Sequence, residues 1–364
     1  MNASATFARQ PSMKTPQRKR PKIADVARLA GTSETAVSVV LNGRVGQSVR
    51  VSEETQATIW RAVRELGYTA NPVARSLARG HNRIIGVFTF ESTFPIESRD
   101  FYYPFLVGVE AEAAAEDYDL LLFASAGATG KRAIYRDGIN RLQLADGSVL
   151  LGQLPDRTAL QNLIEDGYPF VFIGRRDVPG YAVPFAAAAY ADATAEIIRH
   201  LVKHGHQQIA YLRSTTIVES SEDRQVGYFR AHEQAGLNLD EGRIWRGEPE
   251  HVTAEVIEHY RQQGITAFLA ESDAFGEALL AGAASLGLNC PDDFSMAVLG
   301  DSLRPTTPSR DWTKFDIPRE AMGREAVRLL LKMLSAEGGL PEHYQVTLPC
   351  TFIPGSTVKK RKGP

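Results

Sequence analysis

Cysteine is almost missing from this chain. Of 364 residues only Cys290 and Cys350 are cysteines, far apart in sequence, which excludes a disulfide framework and a four-cysteine zinc site. Also missing is any apolar run near the roughly 20 residues that a membrane-spanning helix needs. The N-terminus lacks the hydrophobic stretch of a secretory signal. A soluble, cytoplasmic protein with no membrane partner is therefore expected. Catalytic signatures are scarce too, and no Gly-x-Ser-x-Gly elbow occurs. Gly127-Ala-Thr-Gly-Lys131-Arg132 approximates a phosphate loop, but Ser125 stands where an earlier glycine is required and Arg132 where a Ser or Thr should be. His200, His204 and His206 have a spacing that suits zinc, yet no fourth ligand is nearby, so structural roles are expected. No metal, no cofactor and no enzyme activity follow from these residues.

What is present is an uneven chain. Its formal charge is only −2, but residues 1–80 carry 13 basic and 5 acidic residues, a net of +8, which leaves −10 for the rest. Nucleic acid belongs at the positive end. At 43% hydrophobic residues, a chain of this length buries a large core and exceeds one ordinary domain.

Within the basic end, Ile23, Val26, Ala27 and Ala30 recur at helical spacing. Gly31 supplies a residue able to take positive φ at a tight corner, and Ser33 is placed to cap a second helix. In that helix Val37, Val40 and Leu41 form the inward face. Glu34, Thr35, Ser38 and Val39 are left pointing outward from its first half. This is the layout of a helix-turn-helix, whose second helix enters the major groove. A third helix is expected at about Ser52 to Leu66, with Ser52 as cap, Glu53 and Glu54 at the positive end of the dipole, and Ile59, Ala62, Val63 and Leu66 closing the core. Beyond it, Asn71 caps, Pro72 fits the first helical position and Gly80 stops the run. A helix of about two turns is too short to persist alone in water, so Asn71 to Arg79 should order only on DNA.

The text of this region resembles the LacI/GalR (lactose-repressor) family of bacterial transcription regulators. The resemblance is carried by Ile-Ala-Asp-Val-Ala-Arg-Leu-Ala-Gly (23–31), Val-Ser-x-Val-Leu-Asn-Gly (37–43), Val-Ser-Glu-Glu-Thr (51–55), Glu-Leu-Gly-Tyr (65–68) and Asn-Pro-Val-Ala-Arg-Ser-Leu (71–77). It implies a homodimer on double-stranded operator DNA, with paired hinge helices in the minor groove and Leu77 wedged between base pairs. Glu34, Thr35 and Val39 hold the implied base-reading positions, Val39 through apolar contact with a thymine methyl. Ser38, Asn42, Asn71 and Arg75 complete the DNA-contacting set. Arg44 and Arg50 join it as phosphate contacts from a connecting loop longer than the family usually has. Residues 1–21, with Arg18-Lys19-Arg20, read as a disordered basic arm.

From Arg83 onward, strand and helix patterns alternate. Strands are expected at Ile84 to Phe90, Leu120 to Ala124 (buried), Ser148 to Leu151, Phe170 to Ile173, Ile209 to Leu212, Ala267 to Ala270 and Met296 to Leu299. Helices fall at Phe105 to Ala115, Asp192 to Lys203, Gln225 to Ala235 and Phe275 to Leu286. Units of this kind make parallel sheets covered by helices on both faces. Family-like text continues through residues 200–210, Arg224-Gln-Val-Gly-Tyr (224–228), Ser272-Asp273, Pro291-Asp-Asp-Phe-Ser (291–295) and Pro318-Arg-Glu-Ala-Met-Gly (318–323).

The fold class expected is thus an all-α helix-turn-helix headpiece plus an α/β periplasmic-binding-protein-like core of two doubly wound parallel-sheet subdomains. The boundaries read are 1–21 (arm), 22–69 (headpiece), 70–82 (hinge helix and linker), 83–358 (core) and 359–364 (basic tail). Within the core, a first subdomain takes about 83–177 and 312–336, and a second about 178–311 and 337–358.

For the small molecule between the subdomains, the resemblance points first to Arg224, whose planar donor fork suits hydroxyls or carboxylates. Phe101 and Tyr102 match an aromatic pair, and Arg175 follows a strand and faces the cleft. Tyr190, Asp273 and Asp301 complete the effector-binding set. Ala189-Tyr190 and Gly300-Asp301 depart from the usual family text, so no particular sugar is carried over. A carbohydrate effector is expected on family grounds. A nucleobase or a protein co-repressor is the alternative within the class, and an enzyme fused to a DNA-binding module the alternative outside it. The protein is read as a sequence-specific repressor, nucleoid-associated when bound to DNA, with effector and operator coupled by linkage.

Overall fold

The computed structural model describes residues 21–41, 50–68, 82–91, 96–126, 132–301, 310–336 and 343–361, with backbone alone at 96–100. Asn42, Arg44, Asn71, Arg75 and Leu77 lie outside the described residues, as do the arm to residue 20, most of the 70–82 segment, the loop 127–131 and the last three residues of the tail. Two compact units divide the chain, Met1–Asn82 and Arg83–Pro364.

In the first unit, α1 spans Ile23–Ala30, α2 Glu34–Leu41 and α3 Glu53–Leu66. Val26, Ala27, Val37, Val40, Ile59 and Ala62 close its small core. The corner after α1 is made by Gly31 at φ 61, a left-handed conformation that costs glycine little, and its N–H returns to α1 carbonyls. Ser33 accepts from Ala36 N at 3.1 Å and starts α2, while Ser52 accepts from Thr55 N at 3.2 Å and starts α3.

In the second unit, one sheet runs in the order β13-β7-β6-β5-β1-β2, from β1 (Ile84–Thr89), β2 (Asp119–Phe123), β5 (Gly147–Leu151), β6 (Phe170–Ile173), β7 (Phe185–Ala188) and β13 (Gln345–Leu348). Its pairings are all parallel. A short hairpin of β3 (Tyr135–Arg136) and β4 (Ile139–Asn140) stands apart from it. The other sheet runs β14-β12-β11-β10-β8-β9, from β8 (Ile209–Arg213), β9 (Ile244–Arg246), β10 (Ala267–Ala270), β11 (Ser295–Val298), β12 (Thr313–Asp316) and β14 (Thr351–Ile353). It is parallel except for β14, which pairs β12 antiparallel at the edge.

Period-two alternation lets each strand serve two cores. In β6, Val171 and Ile173 pack toward α4 (Ile96–Ala115) and α10 (Arg319–Ser335), whereas Phe170 and Phe172 join Leu160 and Leu163 of α5 (Arg157–Glu165). In β8, Ile209 and Tyr211 face α6 (Tyr190–Lys203) and α7 (Glu219–Gln234), while Ala210 and Leu212 face α8 (Ala254–Gln262) and α9 (Asp273–Ser285). Helices meet where a side chain would not fit. A Cβ on Gly108 of α4 would lie 2.0 Å from Glu320 O of α10, and one on Gly227 of α7 would lie 2.3 Å from Ala191 O of α6.

Strand membership corrects the expected subdomain boundaries. β7 belongs to the first sheet although residues from 178 were placed in the second subdomain. β12 pairs β11 in the second sheet although 312–336 was placed in the first, and β13 pairs β7 in the first although 337–358 was placed in the second. Each is a four-residue strand, so its partner is chosen by non-local pairing that local pattern does not encode. The chain therefore passes between the lobes near 189, 317 and 349, and Tyr190, Ile317 and Cys350 pack against the cores of both. The expected burial of Leu120 to Ala124 is corrected as well. β2 is a sheet edge, with Leu120 38% and Leu122 39% exposed.

Candidate recognition helix and ligand cavity

On α2, Glu34 and Thr35 are exposed and Ser38 is half-buried. Arg50, just before α3, is exposed. Val39 is a correction: expected to point outward, it is only 8% exposed, although it is not part of the Val26–Val40 apolar cluster. At about 100° per residue, Val39 lies off the stripe shared by Val37 and Val40. An eight-residue helix carrying apolar residues at 37, 39 and 40 therefore has no cleanly polar outer face. As placed, Val39 offers little surface to a base edge.

Between the two lobes of the second unit lies a cavity of about 430 Å³. Phe101, Tyr102, Arg175, Tyr190 and Arg224 line it, which gathers five of the seven sequence-derived candidates from distant parts of the chain. Asp273 and Asp301 are not among its lining residues. Asp273 turns back on its own helix, accepting from Ala274 N at 3.0 Å. Asp301 accepts from Ile317 N at 3.2 Å and pairs with Arg319, which pins the second lobe crossing. Both carboxylates are engaged by the scaffold.

Arg224 owes its placement to Gly227, three residues on and so on the same helix face. That glycine lets α7 approach the start of α6, where Tyr190 sits. The Arg224 guanidinium lies 4.1 Å from the Tyr190 ring centroid, with Nε donating to Leu299 O at 2.9 Å and Nη1 to Ser220 O at 3.0 Å. Only 8% of the residue is exposed, and no carboxylate pairs with it among the described residues. Burial pushes the Tyr190 phenol up, opposed by Arg224. Tyr102, almost fully buried, donates to Glu91 Oε2 at 2.6 Å; Glu91 Oε1 in turn accepts from Gln153 N and Leu154 N, each at 3.0 Å. One wall of the cavity is thereby fixed to the end of β5.

Arg175 contributes to a charge cluster bridging the lobes. Its guanidinium meets Asp223 at 3.0 Å and Glu222 at 3.6 Å, both on α7, and also pairs with Asp177. Beside it, Arg176 reaches Glu219 Oε2 at 3.4 Å with the two side chains 9% and 4% exposed. Glu219 Oε1 receives Arg157 Nη2 at 3.3 Å and Asp177 N at 3.2 Å. Burial lowers the pKa of Arg176, and Glu219 is the foremost group opposing that shift.

Several lining residues escaped the sequence reading. Arg176 was hidden by its neighbour Arg175. Glu271 follows the end of β10, two positions before Asp273, and Ser214 and Glu248 lie on connections with no motif. Strand-end position was the available signal for Glu271.

The cysteines are chemically quiet: neither forms a disulfide, and burial raises Cys290 to about 12 and Cys350 to about 11. The three histidines are held within the scaffold, the His200 ring lying 5.0 Å from that of Phe352. His204 Nδ1 bonds His200 O at 2.8 Å, and His206 bonds Thr266 Oγ1 and Lys359 O, each at 3.0 Å.

A headpiece with these capped helices and a two-lobed core with a cavity between them match known families directly. Residues 22–71 match the model of bacterial regulatory proteins, lacI family, and residues 198–358 that of a periplasmic binding protein-like domain. Its headpiece is a LacI-family DNA-binding domain, followed in the chain by a periplasmic-binding-protein-like domain. Among similar proteins, the HTH-type transcriptional regulator CelR of Thermobifida fusca is 28% identical over 330 residues, covering 88% of this chain and 94% of CelR. The HTH-type transcriptional repressor PurR of Proteus mirabilis (strain HI4320) is 28% identical over 326 residues, covering 85% and 89%. A solved CelR–cellobiose complex aligns at TM-score 0.60 and 26% identity, over 93% of this chain and all of that one. The lac repressor dimer bound to operator and the anti-inducer ONPF aligns at TM-score 0.67 over 94% of this chain and all of that one, and at 21% identity it speaks for the fold. These relatives are transcription regulators rather than enzymes, and with its LacI-type DNA-binding headpiece this chain is a transcription regulator as well. Among the described residues no helix is long and apolar enough to cross a membrane.

Proposed function

We propose that this LacI-family regulator is a cytoplasmic, homodimeric repressor whose operator affinity is set by a carbohydrate bound between the two core lobes. The carrying observation is the cavity, walled by aromatic rings and a pre-bonded guanidinium. Rings stack on the apolar faces of sugars, and a planar donor fork suits hydroxyl oxygens. A cellobiose-bound CelR structure among the similar proteins supports the carbohydrate class. On DNA, Glu34, Thr35 and Ser38 read base edges in the major groove. Arg44, Arg50 and Arg75 bind phosphates, Asn42 and Asn71 assist, and Leu77 wedges the minor groove from a hinge within 70–82. Val39 joins this set if it is uncovered on binding. Residues 1–21 add basic charge; of the expected basic tail 359–364, Lys359 and Arg361 are instead fastened to the core, Lys359 N donating to Ser295 Oγ at 3.0 Å and Arg361 N to His204 O at 2.8 Å.

An effector that prefers one lobe geometry changes operator affinity by the coupling free energy with which DNA changes effector affinity. The test is operator selection from genomic fragments, followed by titration with and without a disaccharide panel at physiological salt. A selected fragment should outcompete random DNA, and one neutral sugar should shift its affinity by about fivefold or more. No fragment preference in any condition would refute the DNA reading; an unmoved affinity would refute the effector reading.

A further inference from the structure

Helices α4 and α10 of the first lobe both run from the cavity to a groove beside Arg83. Phe101, Tyr102 and Phe105 near the start of α4, and Met322 near the start of α10, line the cavity. Glu112 and Glu116 around the end of α4, and Leu331 and Ser335 in the last turns of α10, line the groove together with Arg83. From Phe105 to Ala115 the helix rises about 15 Å. The two helices are locked against each other along that length. A Cβ on Gly108 would lie 2.0 Å from Glu320 O, and one on Gly323 would lie 2.2 Å from Phe105 O, so the backbones touch at a mutual glycine crossing. Farther along, buried Glu112 accepts from Arg328 Nε at 2.7 Å and Nη2 at 2.9 Å, a bidentate pair that fixes both distance and orientation.

Arg83 fastens this helix pair to the start of the core. It is the first residue after the 70–82 segment and holds φ at 55, a left-handed conformation that a residue with a side chain keeps only where its surroundings impose it. Its N–H donates to Asp146 Oδ2 at 2.7 Å, and its carbonyl accepts from Asp119 N at 3.0 Å. Its side chain turns back over the end of α4. Nη1 is shared by Glu116 O at 3.3 Å, Asp117 O at 3.2 Å and Asp117 Oδ2 at 3.0 Å, and the guanidinium lies 5.4 Å from the Tyr118 ring centroid. A cation there also meets the negative end of the helix dipole. The ion pair alone contributes little, since the Asp117 carboxylate is exposed; the two carbonyls and the ring make the grip.

We propose that Arg83 is a positioning residue for regulation: through its grip on the end of α4, a displacement of that helix at the cavity reaches the 70–82 segment. Losing the grip uncouples cavity and operator while leaving each able to bind. This rests on the regulator reading above and goes beyond it by naming the residue that joins the two sites. By linkage, whatever the cavity does to operator affinity the operator does to the cavity. The coupling is therefore open to test from the DNA end, with no small molecule.

The experiment adds a duplex, selected from genomic fragments by the full chain, at saturation and follows amide hydrogen exchange by mass spectrometry. In wild type the duplex should change exchange within Phe101–Ala115 by about fivefold or more, and a random duplex of equal length should not. Arg83→Gly takes the positive φ without strain and lacks the guanidinium. It should still prefer the selected duplex, but the exchange change should shrink to less than about twofold. Arg83→Lys, which keeps the charge but not the planar fork, should fall between the two. Melting temperature checks that each variant folds. A selected duplex that leaves Phe101–Ala115 unchanged in wild type overturns the proposal, as does a full wild-type response in Arg83→Gly, or in Arg83→Lys should the glycine variant not fold. A folded glycine variant that no longer prefers the duplex overturns it too, because Arg83 would then serve binding and not coupling. If wild type prefers no fragment, the regulator reading falls and takes this inference with it; a preferred fragment with no exchange change removes only the inference.

Discussion

Two sets of charge line the same cleft and behave differently. Arg157, Arg175 and Arg176 of the first lobe are paired with Glu219, Glu222 and Asp223 of α7 in the second. Arg224 and Glu271, inside the cavity, have no partner of opposite sign among the described residues. A charge satisfied across the cleft contributes to holding the lobes in this arrangement, and has little left to offer a ligand. A charge with no opposite charge against it keeps capacity to read one. The comparison therefore separates residues that set lobe geometry from residues free to meet a ligand, although Glu219, Glu222, Asp223 and Arg224 lie within a few residues of each other on α7.

The sharpest way to break that division is Glu219→Ala. Glu219 is 4% exposed and accepts from Arg157, Arg176 and the Asp177 amide, so its loss strands a buried arginine. A destabilisation of about 3 kcal/mol is expected, read as a lowered urea midpoint of the core unit. If the midpoint holds, the cluster is not a structural tie. Next in size is Gly227→Ala, whose Cβ would lie 2.3 Å from a backbone carbonyl of α6. Overpacking there should cost about 1–3 kcal/mol, and because Tyr190 and Arg224 share that crossing, ligand affinity should fall along with the melting temperature. Arg224→Lys is the complementary case. Lysine cannot keep both carbonyl bonds and a flat contact on Tyr190, so binding should weaken by about tenfold or more while the urea midpoint moves less than in Glu219→Ala. A larger change in stability than in binding would place Arg224 with the structural set.

These positions also show what a sequence can and cannot disclose. Arg224 was legible through the family resemblance, which places an Arg at the start of Arg224-Gln-Val-Gly-Tyr; the packing of that motif's Gly227 against α6 was seen only in the fold. Arg175 was legible because strand ends open onto the cleft. Glu271 was not, since three consecutive polar residues follow β10 and their order does not tell which lines the cavity; Asp273 accepts from Ala274 N in the first turn of its own helix instead. Headpiece helices could be read almost residue by residue because their caps are local, Ser33 to Ala36 and Ser52 to Thr55. Subdomain boundaries could not, because β7, β12 and β13 are assigned by pairing with strands far away in sequence. A smaller prediction follows for the headpiece: Ser52→Ala should lower its stability by about 1 kcal/mol and leave ligand binding to the cavity unchanged, as measured by calorimetry on the same variant.

Smallest in scale is a pH effect that separates paired charge from buried neutral groups. His232 on α7 is fully buried; its Nδ1 donates to Tyr228 O at 2.8 Å and its Nε2 has no partner. Burial lowers its pKa, with Arg243 pushing the same way and the Tyr228 carbonyl opposing. His206, 4% exposed, is lowered by burial too, with Arg361 and His204 nearby and the Lys359 carbonyl opposing. In the unfolded chain a histidine takes its proton near about pH 6.5, above the point at which these two do in the fold. Between those points the unfolded state binds more protons, so stability rises with pH. The contribution is complete above about pH 6.5 and is lost as pH falls through the lowered folded values. Melting temperature should therefore decline from pH 7.5 to pH 5, and the decline should be shallower in His232→Phe. A melting temperature that rises on acidification would show that other groups dominate. A decline equally steep in His232→Phe would move its origin to His206 or to the charges across the cleft.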